Sequence, residues 1–282
     1  EVKVAEERII ELTKQQARHL GFLRDQPRVC IEGPAGTGKT VLALEKAKQL
    51  ADDEVPTLLT CFNRQLAARL ASATKDVPNL TVQTFHDTCV KFAEEAGLGL
   101  PADSRGFNTE FFDVKLPDLM LRAIDLLPNR RFGAVVIDEA QDLQPEWWEL
   151  LELLLDDDNA WLWAFRDPGQ NLFGRAAELP VRLSVFRLEE NVRNTRKIHS
   201  AAVRFTSGEH GICIGPDGVD VRYEFAKNPR AIRSVIKRVL QQLIKHEGIK
   251  SEDIIILTAT SVANSALNDV DQVGSFDLKA YG

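Results

Sequence analysis

Two glycine-separated turns, a lysine and a hydroxyl stand at a spacing suited to phosphate: Gly33-Pro34-Ala35-Gly36-Thr37-Gly38-Lys39-Thr40 reads GxxxxGKT. Glycines let a loop close around an anion, so that backbone N–H groups, the Lys39 ammonium and the start of the following helix face it. Downstream, the apolar run Val135-Val136-Ile137 ends in Asp138-Glu139-Ala140-Gln141-Asp142. Acids at the end of a buried strand can hold Mg²⁺ through one carboxylate and orient or deprotonate a water through another. Each element also has a plainer reading. A glycine-rich turn can precede any helix, and an acidic run can be a solvated helix start that favours the dipole. Context weighs against both, because Arg28 to Ile31 reads as a strand leading into the loop and Val41 to Leu44 as a helix leading out.

The elements that must position these groups follow from hydrophobic periodicity. Short strand-like runs fall at Val29 to Ile31, Thr57 to Cys61, Leu80 to Thr84, Ala134 to Ile137, Trp161 to Phe165 and Ser184 to Leu188. Helical patterns separate them at Lys39 to Ala51, Asn63 to Ala73, His86 to Ala96, Glu146 to Leu155 and Thr195 to Phe205. Such alternation predicts an α/β fold with a parallel sheet flanked by helices, whose ligands bind outside the carboxyl ends of the strands. The rhythm breaks between His86 and Arg131, a Gly- and Pro-rich stretch carrying one helical pattern at Asp118 to Leu127, which reads as a small insertion at about 87–131. After Gly211 a second unit is expected. It has a strand at Val219 to Phe225, a helix from Pro229 to about His246 with an apolar core-type stripe, and a strand at Ile254 to Leu257. The domains are therefore read as 1–210 and a partial 211–282.

The chain has 282 residues, 44% of them hydrophobic, a formal charge of -7 and four scattered cysteines. A global positive field is excluded, so nucleic acid would need a local basic track. Cys30, Cys61, Cys89 and Cys213 lack CxxC or metal spacing and read as reduced core thiols, which predicts a cytoplasmic location. No apolar run reaches the roughly 18 residues needed to span a bilayer. The chain starts without methionine and stops without a closing signal, so it reads as a piece of something longer, with room for a fused nuclease or other domain outside it.

With both nucleotide elements placed, the remaining motifs resemble those of superfamily I helicases of the UvrD/Rep/PcrA type, over roughly residues 12 to 200. The resemblance implies a RecA-like P-loop NTPase domain followed by the start of a second one. Leu12-Thr13-Lys14-Gln15-Gln16 is similar to the glutamine motif, which puts Gln16 on the edge of the base. Thr60-Cys61-Phe62-Asn63-Arg64 and Thr84-Phe85-His86 resemble two motifs that touch single-stranded DNA, and Phe173 falls where the family places an aromatic near a base. Asp167-Pro168-Gly169-Gln170 fits a motif whose glutamine senses the γ-phosphate, and Leu188-Glu189-Glu190-Asn191-Val192-Arg193 fits one whose arginine reaches it from the opposite side. On these matches the loop from Gly33 to Thr40, with Gln16 and Gln141, binds ATP, and Thr40 and Asp138 hold Mg²⁺. Lys39, Glu139, Gln170 and Arg193 carry catalysis, with Glu139 orienting the water and Arg193 supplying a permanently charged fork. A surface ion pair with Glu189 or Glu190 is the plainer reading of Arg193.

The sequence also departs from the family. An arginine and a tyrosine that commonly sandwich adenine are replaced by Val41 and Val192, and the tryptophan usual after Phe173 has no counterpart. From Arg182 to Arg204 six basic residues stand against two acidic ones, a candidate phosphate track or a solvated face. Trp161 and Trp163, on a strand, read as core. The leading expectation is an ATP-dependent DNA helicase or single-stranded DNA translocase of 3′-to-5′ direction, slow in turnover as this chain alone. The rivals are a nucleic-acid-gated ATPase switch without processive movement, and a small-molecule kinase. Oligomeric state and DNA-versus-RNA preference are not readable.

Overall fold

The apolar runs pair side by side into one six-stranded sheet. The computed structural model describes residues 20–100, 109–157, 159–170, 179, 182–205 and 210–279. The strands are β1 (Arg28–Glu32), β2 (Thr57–Cys61), β3 (Leu80–Thr84), β4 (Ala134–Ile137), β5 (Trp161–Arg166) and β6 (Ser184–Arg187). They lie in the order β3-β2-β4-β5-β1-β6, and every ladder is parallel. Parallel strands need crossovers, and helices laid over both faces bury the strands twice, which is why β2 and β4 read as unbroken apolar runs.

One face packs on α1 (Lys39–Asp52) and α2 (Arg64–Ala73): Leu42, Ala43, Ala47 and Leu70 meet Val29, Ile31, Leu59, Val136 and Phe165. The other face packs on α3 (Phe85–Glu95), α4 (Leu116–Leu126) and α5 (Pro145–Leu153). Helix starts are chemically marked. Asn63 accepts from the N–H groups of Gln65 and Leu66, Thr84 accepts from that of Asp87, and Pro145 opens α5 at a position where its missing N–H costs nothing. Trp163 is core, as expected, with its indole N–H on the Gln26 carbonyl, and the Lys46 ammonium lies 4.3 Å from the rings of both Trp161 and Trp163. Cys30, Cys61 and Cys89 are buried thiols, and burial pushes the first two up to about 12.

The described part of the stretch read as an insertion shares the main core, with Phe92, Phe111, Leu116, Met120 and Ile124 buried together with Leu58, Val135 and Ile137. Its helices cover a sheet face that would otherwise meet water. The strands expected at 219–225, across the start of the second compact unit at Val221, and at 254–257 within it are corrected: among the described residues these runs join no strand ladder. Phe225 and Leu257 are almost fully exposed, so these runs lack both the hydrogen-bonding neighbour and the covering layer that a strand requires. After α6 (Arg196–Val203) in the first unit, the second contains α7 (Pro229–Gln241), a π-turn over Gln242–His246, and an antiparallel pairing of Gln272–Val273 with Phe276–Asp277 around Gly274. The apolar stripe of α7 is only half-covered, with Leu240 its buried member.

If α3 is structural in this way, Phe92→Ala lowers unfolding free energy by about 3–5 kcal/mol in urea titration, whereas Leu121→Ala, on the exposed side of α4, changes it by under about 1 kcal/mol. Equal small effects would show that the segment is dispensable.

Candidate nucleotide site and nucleic-acid face

The phosphate loop leaves β1 at Gly33, whose N–H donates to the Arg166 carbonyl at the end of β5 (3.2 Å). Gly36 (φ +87°) and Gly38 (φ +81°) hold left-handed conformations, and Gly38 caps the start of α1. Lys39 is buried, and its ammonium donates to the carbonyls of Gly33 (2.7 Å) and Pro34 (3.1 Å), 3.8 Å from the Asp167 carboxylate. Burial pulls the Lys39 pKa down, while Asp167, Glu139 and Asp138 push it back up.

Asp138 ends β4, its N–H on the Thr60 carbonyl of β2. Its Oδ1 accepts the Glu139 N–H at 3.0 Å, and its Oδ2 is buried without a partner. Burial first, and then the neighbouring Glu139, raise its pKa from 3.8 to about 6, partly opposed by the Thr40 side chain. Glu139 takes φ +52°, a left-handed conformation rare outside glycine and often found where a side chain is aimed for function. Gln141 joins two parts of the site: its Nε2 donates to Glu139 Oε2 (2.6 Å) and its Oε1 accepts the Asp167 N–H (2.9 Å). Asp167, buried at the end of β5, also accepts from the Gly169 N–H and from the Gln170 amide.

On the opposite side, the N–H groups of Val192 and Arg193 share the Gly36 carbonyl at 3.1 Å each. Arg193 itself is exposed and close enough to lower the Lys39 pKa. Among the described residues it makes no ion pair, so the pairing with Glu189 or Glu190 is not realised. The structure thus brings together Lys39, Thr40, Asp138, Glu139, Gln141, Gln170 and the backbone of Arg193. Gln16 and Phe173 lie outside the described residues. Val41 is exposed on α1, and Val192 is buried. Asp167 and Asn191 are the residues that motif reading passed over. Both stood inside quoted motifs, but their importance is a matter of contacts.

The strand-contact candidates divide. Phe62, Asn63 and Arg64 sit at the end of β2 and the start of α2 with surface to offer, although the Asn63 side-chain oxygen is engaged as a cap. Thr84 and Phe85 are buried. The Thr84 hydroxyl donates to the Asp87 carboxylate (2.7 Å), and Phe85 stacks on the buried Trp147 at 4.6 Å. His86 is half-buried among Phe62, Phe112 and Trp147, with Nε2 3.2 Å from the Phe112 carbonyl, and burial lowers its pKa. The basic run is partly neutralised: Arg187 pairs with Glu32, Arg196 with Asp217 and Lys197 with Asp220.

A family model described as an AAA domain (AAA_19) matches residues 16–174, more than half of the chain. The chain belongs to this AAA domain family. The match spans the phosphate loop, the DEAQD run and the Asp167 motif, in keeping with a superfamily I helicase-like P-loop domain. Among solved structures, the AAA domain chain is similar to Bacteroides Pif1 bound to ssDNA, at 17% identity over 55% of this chain and 32% of that one, with a TM-score of 0.31. It is also similar to AMPPCP-bound DnaA from Aquifex aeolicus, at 15% identity over 86% of this chain and 63% of that one, with a TM-score of 0.34. Superposition this partial carries no functional argument, and the AAA domain chain spans about a third and just under two thirds of those two proteins. No curated protein matches, and no helix among the described residues is long and apolar enough to cross a membrane.

The raised Asp138 pKa has a definite sign. A carboxyl that titrates near 6 when folded and 3.8 when unfolded destabilises the nucleotide-free fold fully above pH 6, and the penalty vanishes as pH falls toward 4. Asp138→Asn is therefore expected to stabilise the nucleotide-free chain by roughly 2–3 kcal/mol at pH 7–8, with the gain disappearing near pH 4. Melting curves of both proteins across that range test it, and a gain that persists at pH 4 refutes the assignment.

Proposed function

We propose that this chain binds ATP with Mg²⁺ and hydrolyses it as the motor of an ATP-dependent DNA helicase or single-stranded DNA translocase. The reading rests on one observation above all. Cation, carboxylates and amides from the ends of β1, β4 and β5 converge on a single phosphate loop, with Arg193 tethered to that loop from the far side. Lys39 now satisfies itself on neutral carbonyls, and charged phosphate oxygens would draw it away because charge-assisted bonds are the stronger ones. The orphaned Oδ2 of Asp138 beside Thr40 suits a divalent cation that would complete its shell on nucleotide oxygens and water. Such a cation supplies charge neutralisation to the phosphates. Glu139, steadied by Gln141, orients a water for in-line attack and takes its proton. Gln170 and Arg193 face the γ-phosphate, so its departure changes their contacts. Phe62, Asn63, Arg64 and His86 are the proposed strand contacts, with Thr84 and Phe85 supporting them from the core. The 3′-to-5′ direction is carried over from the family resemblance alone, and the partial second domain at 211–282 is likewise part of the proposal.

One observation favours the second reading, a nucleic-acid-gated ATPase switch: the burial of Phe85 and the pairing of Arg187, Arg196 and Lys197 with acids leave a spare strand surface. Tracking or strand displacement separates the two, because a switch shows DNA-stimulated hydrolysis without movement.

Two outcomes are expected in binding and turnover assays with single-stranded DNA, single-stranded RNA and duplex added separately. Lys39→Ala abolishes nucleotide binding, whereas Glu139→Gln retains it and lowers turnover by about 10²-fold or more. Activation by RNA alone overturns the DNA assignment. With valines at 41 and 192, two ring contacts worth on the order of 1 kcal/mol each are missing, so ATP is preferred to GTP by less than about a hundredfold in binding. A larger preference refutes weak base reading.

A further inference from the structure

Asn191 ends the short strand β7 (Glu190–Asn191) and is buried. Its Nδ2 donates to the Ala35 carbonyl in the phosphate loop at 2.9 Å. Its Oδ1 accepts the N–H groups of Arg193 (3.3 Å) and Asn194 (3.1 Å). The amide can stand only this way round, since the reverse would set NH₂ against two N–H groups and oxygen against a carbonyl. Nδ2 also lies 3.2 Å from Nδ1 of His199 on α6 (Arg196–Val203), which accepts when its proton sits on Nε2. The contact is close. A Cβ on Gly36 would come within 2.5 Å of both Oδ1 and Nδ2, so the loop needs glycine there for Asn191 as well as for its positive φ.

We infer that Asn191 is the positioning residue that registers Arg193 against the phosphate loop. One half of its amide holds the arginine's own backbone and the other half holds the loop, so neither moves without the other. The inference rests on the proposed ATP site and adds to it the means by which occupation of the loop is transmitted to the arginine. Leucine fills the same space and makes neither bond. Aspartate keeps the bonds to Arg193 and Asn194 and loses the one to Ala35.

The test is a double-mutant cycle on the full chain, read as Mg²⁺-dependent affinity for ADP and for a non-hydrolysable ATP analogue. Arg193 faces only the γ-phosphate, so Arg193→Ala and Asn191→Ala are each expected to weaken analogue binding about tenfold and ADP binding by less than about threefold. The double variant is expected to be no more than about threefold worse than Arg193→Ala. Equal loss of ADP and analogue in Asn191→Ala, or losses that multiply in the double variant, overturns the inference and leaves Asn191 a plain structural residue. Should Asn191→Ala not fold by its melting curve, Asn191→Asp enters the same cycle with the same criteria. If the wild-type chain binds neither nucleotide, the proposed function falls and this inference with it. If it binds both in a Lys39-dependent way and the Asn191 variants match wild type, this inference alone falls.

Discussion

A loop that must keep most of its backbone N–H groups free for an anion can hold itself only weakly by internal hydrogen bonds, here the long one from the Thr37 N–H to the Pro34 carbonyl (3.4 Å). The support has to come through its carbonyls and from neighbouring elements. That constraint organises this structure. The carbonyls of Gly33 and Pro34 take the Lys39 ammonium, that of Ala35 takes the Asn191 amide, and that of Gly36 takes two backbone N–H groups from the arginine segment. Two segments deliver these groups, the start of α1 through Lys39 and the stretch from Asn191 to Arg193, so the loop's shape reports on both. Left-handed Gly36 and Gly38 complete the turn where a side chain would collide or strain.

The parallel sheet makes such delivery cheap. Its strands end at one edge, so Glu32, Asp138 and Asp167 arrive together although they are far apart in the chain. Burial then makes each carboxylate demand a partner. Glu32 is met by Arg166 and Arg187, which tie β1 to β5 and β6, and Asp167 is met by Gln170 and Lys39. Of these three described carboxylates, Asp138 keeps an oxygen with no hydrogen-bond partner, and burial raises its pKa to about 6.

Much of this was legible beforehand. The six strands fell within a residue of their expected places because buried parallel strands are uninterrupted apolar runs bounded by turns. Most helix starts fell within a residue because Asn63, Thr84 and Thr195 mark them, while the ends at 155 and 205 were expected two residues too late. What misled was punctuation. Gly and Pro between His86 and Arg131 read as a small insertion and hid that Phe92, Met120 and Ile124 are spaced to bury against the sheet. The runs at 219–225 and 254–257 had strand composition but no ladder to join, and composition cannot supply a neighbour.

Residue types and spacing determined the chemistry: a phosphate loop, an acidic strand end, a glutamine and an arginine in order, because each function demands a particular group at a particular distance from a turn. Tertiary structure decided which of those groups meet and which side chains are left to face solvent. It buried the side chains of Phe85 and Thr84, which a motif alone could not decide, and it raised Asp167 and Asn191 from filler within motifs to the joints of the site. The physical reason is that hydrogen bonds and burial depend on three-dimensional neighbours, and residue 191 meets residue 35 only once the sheet has closed the distance between them.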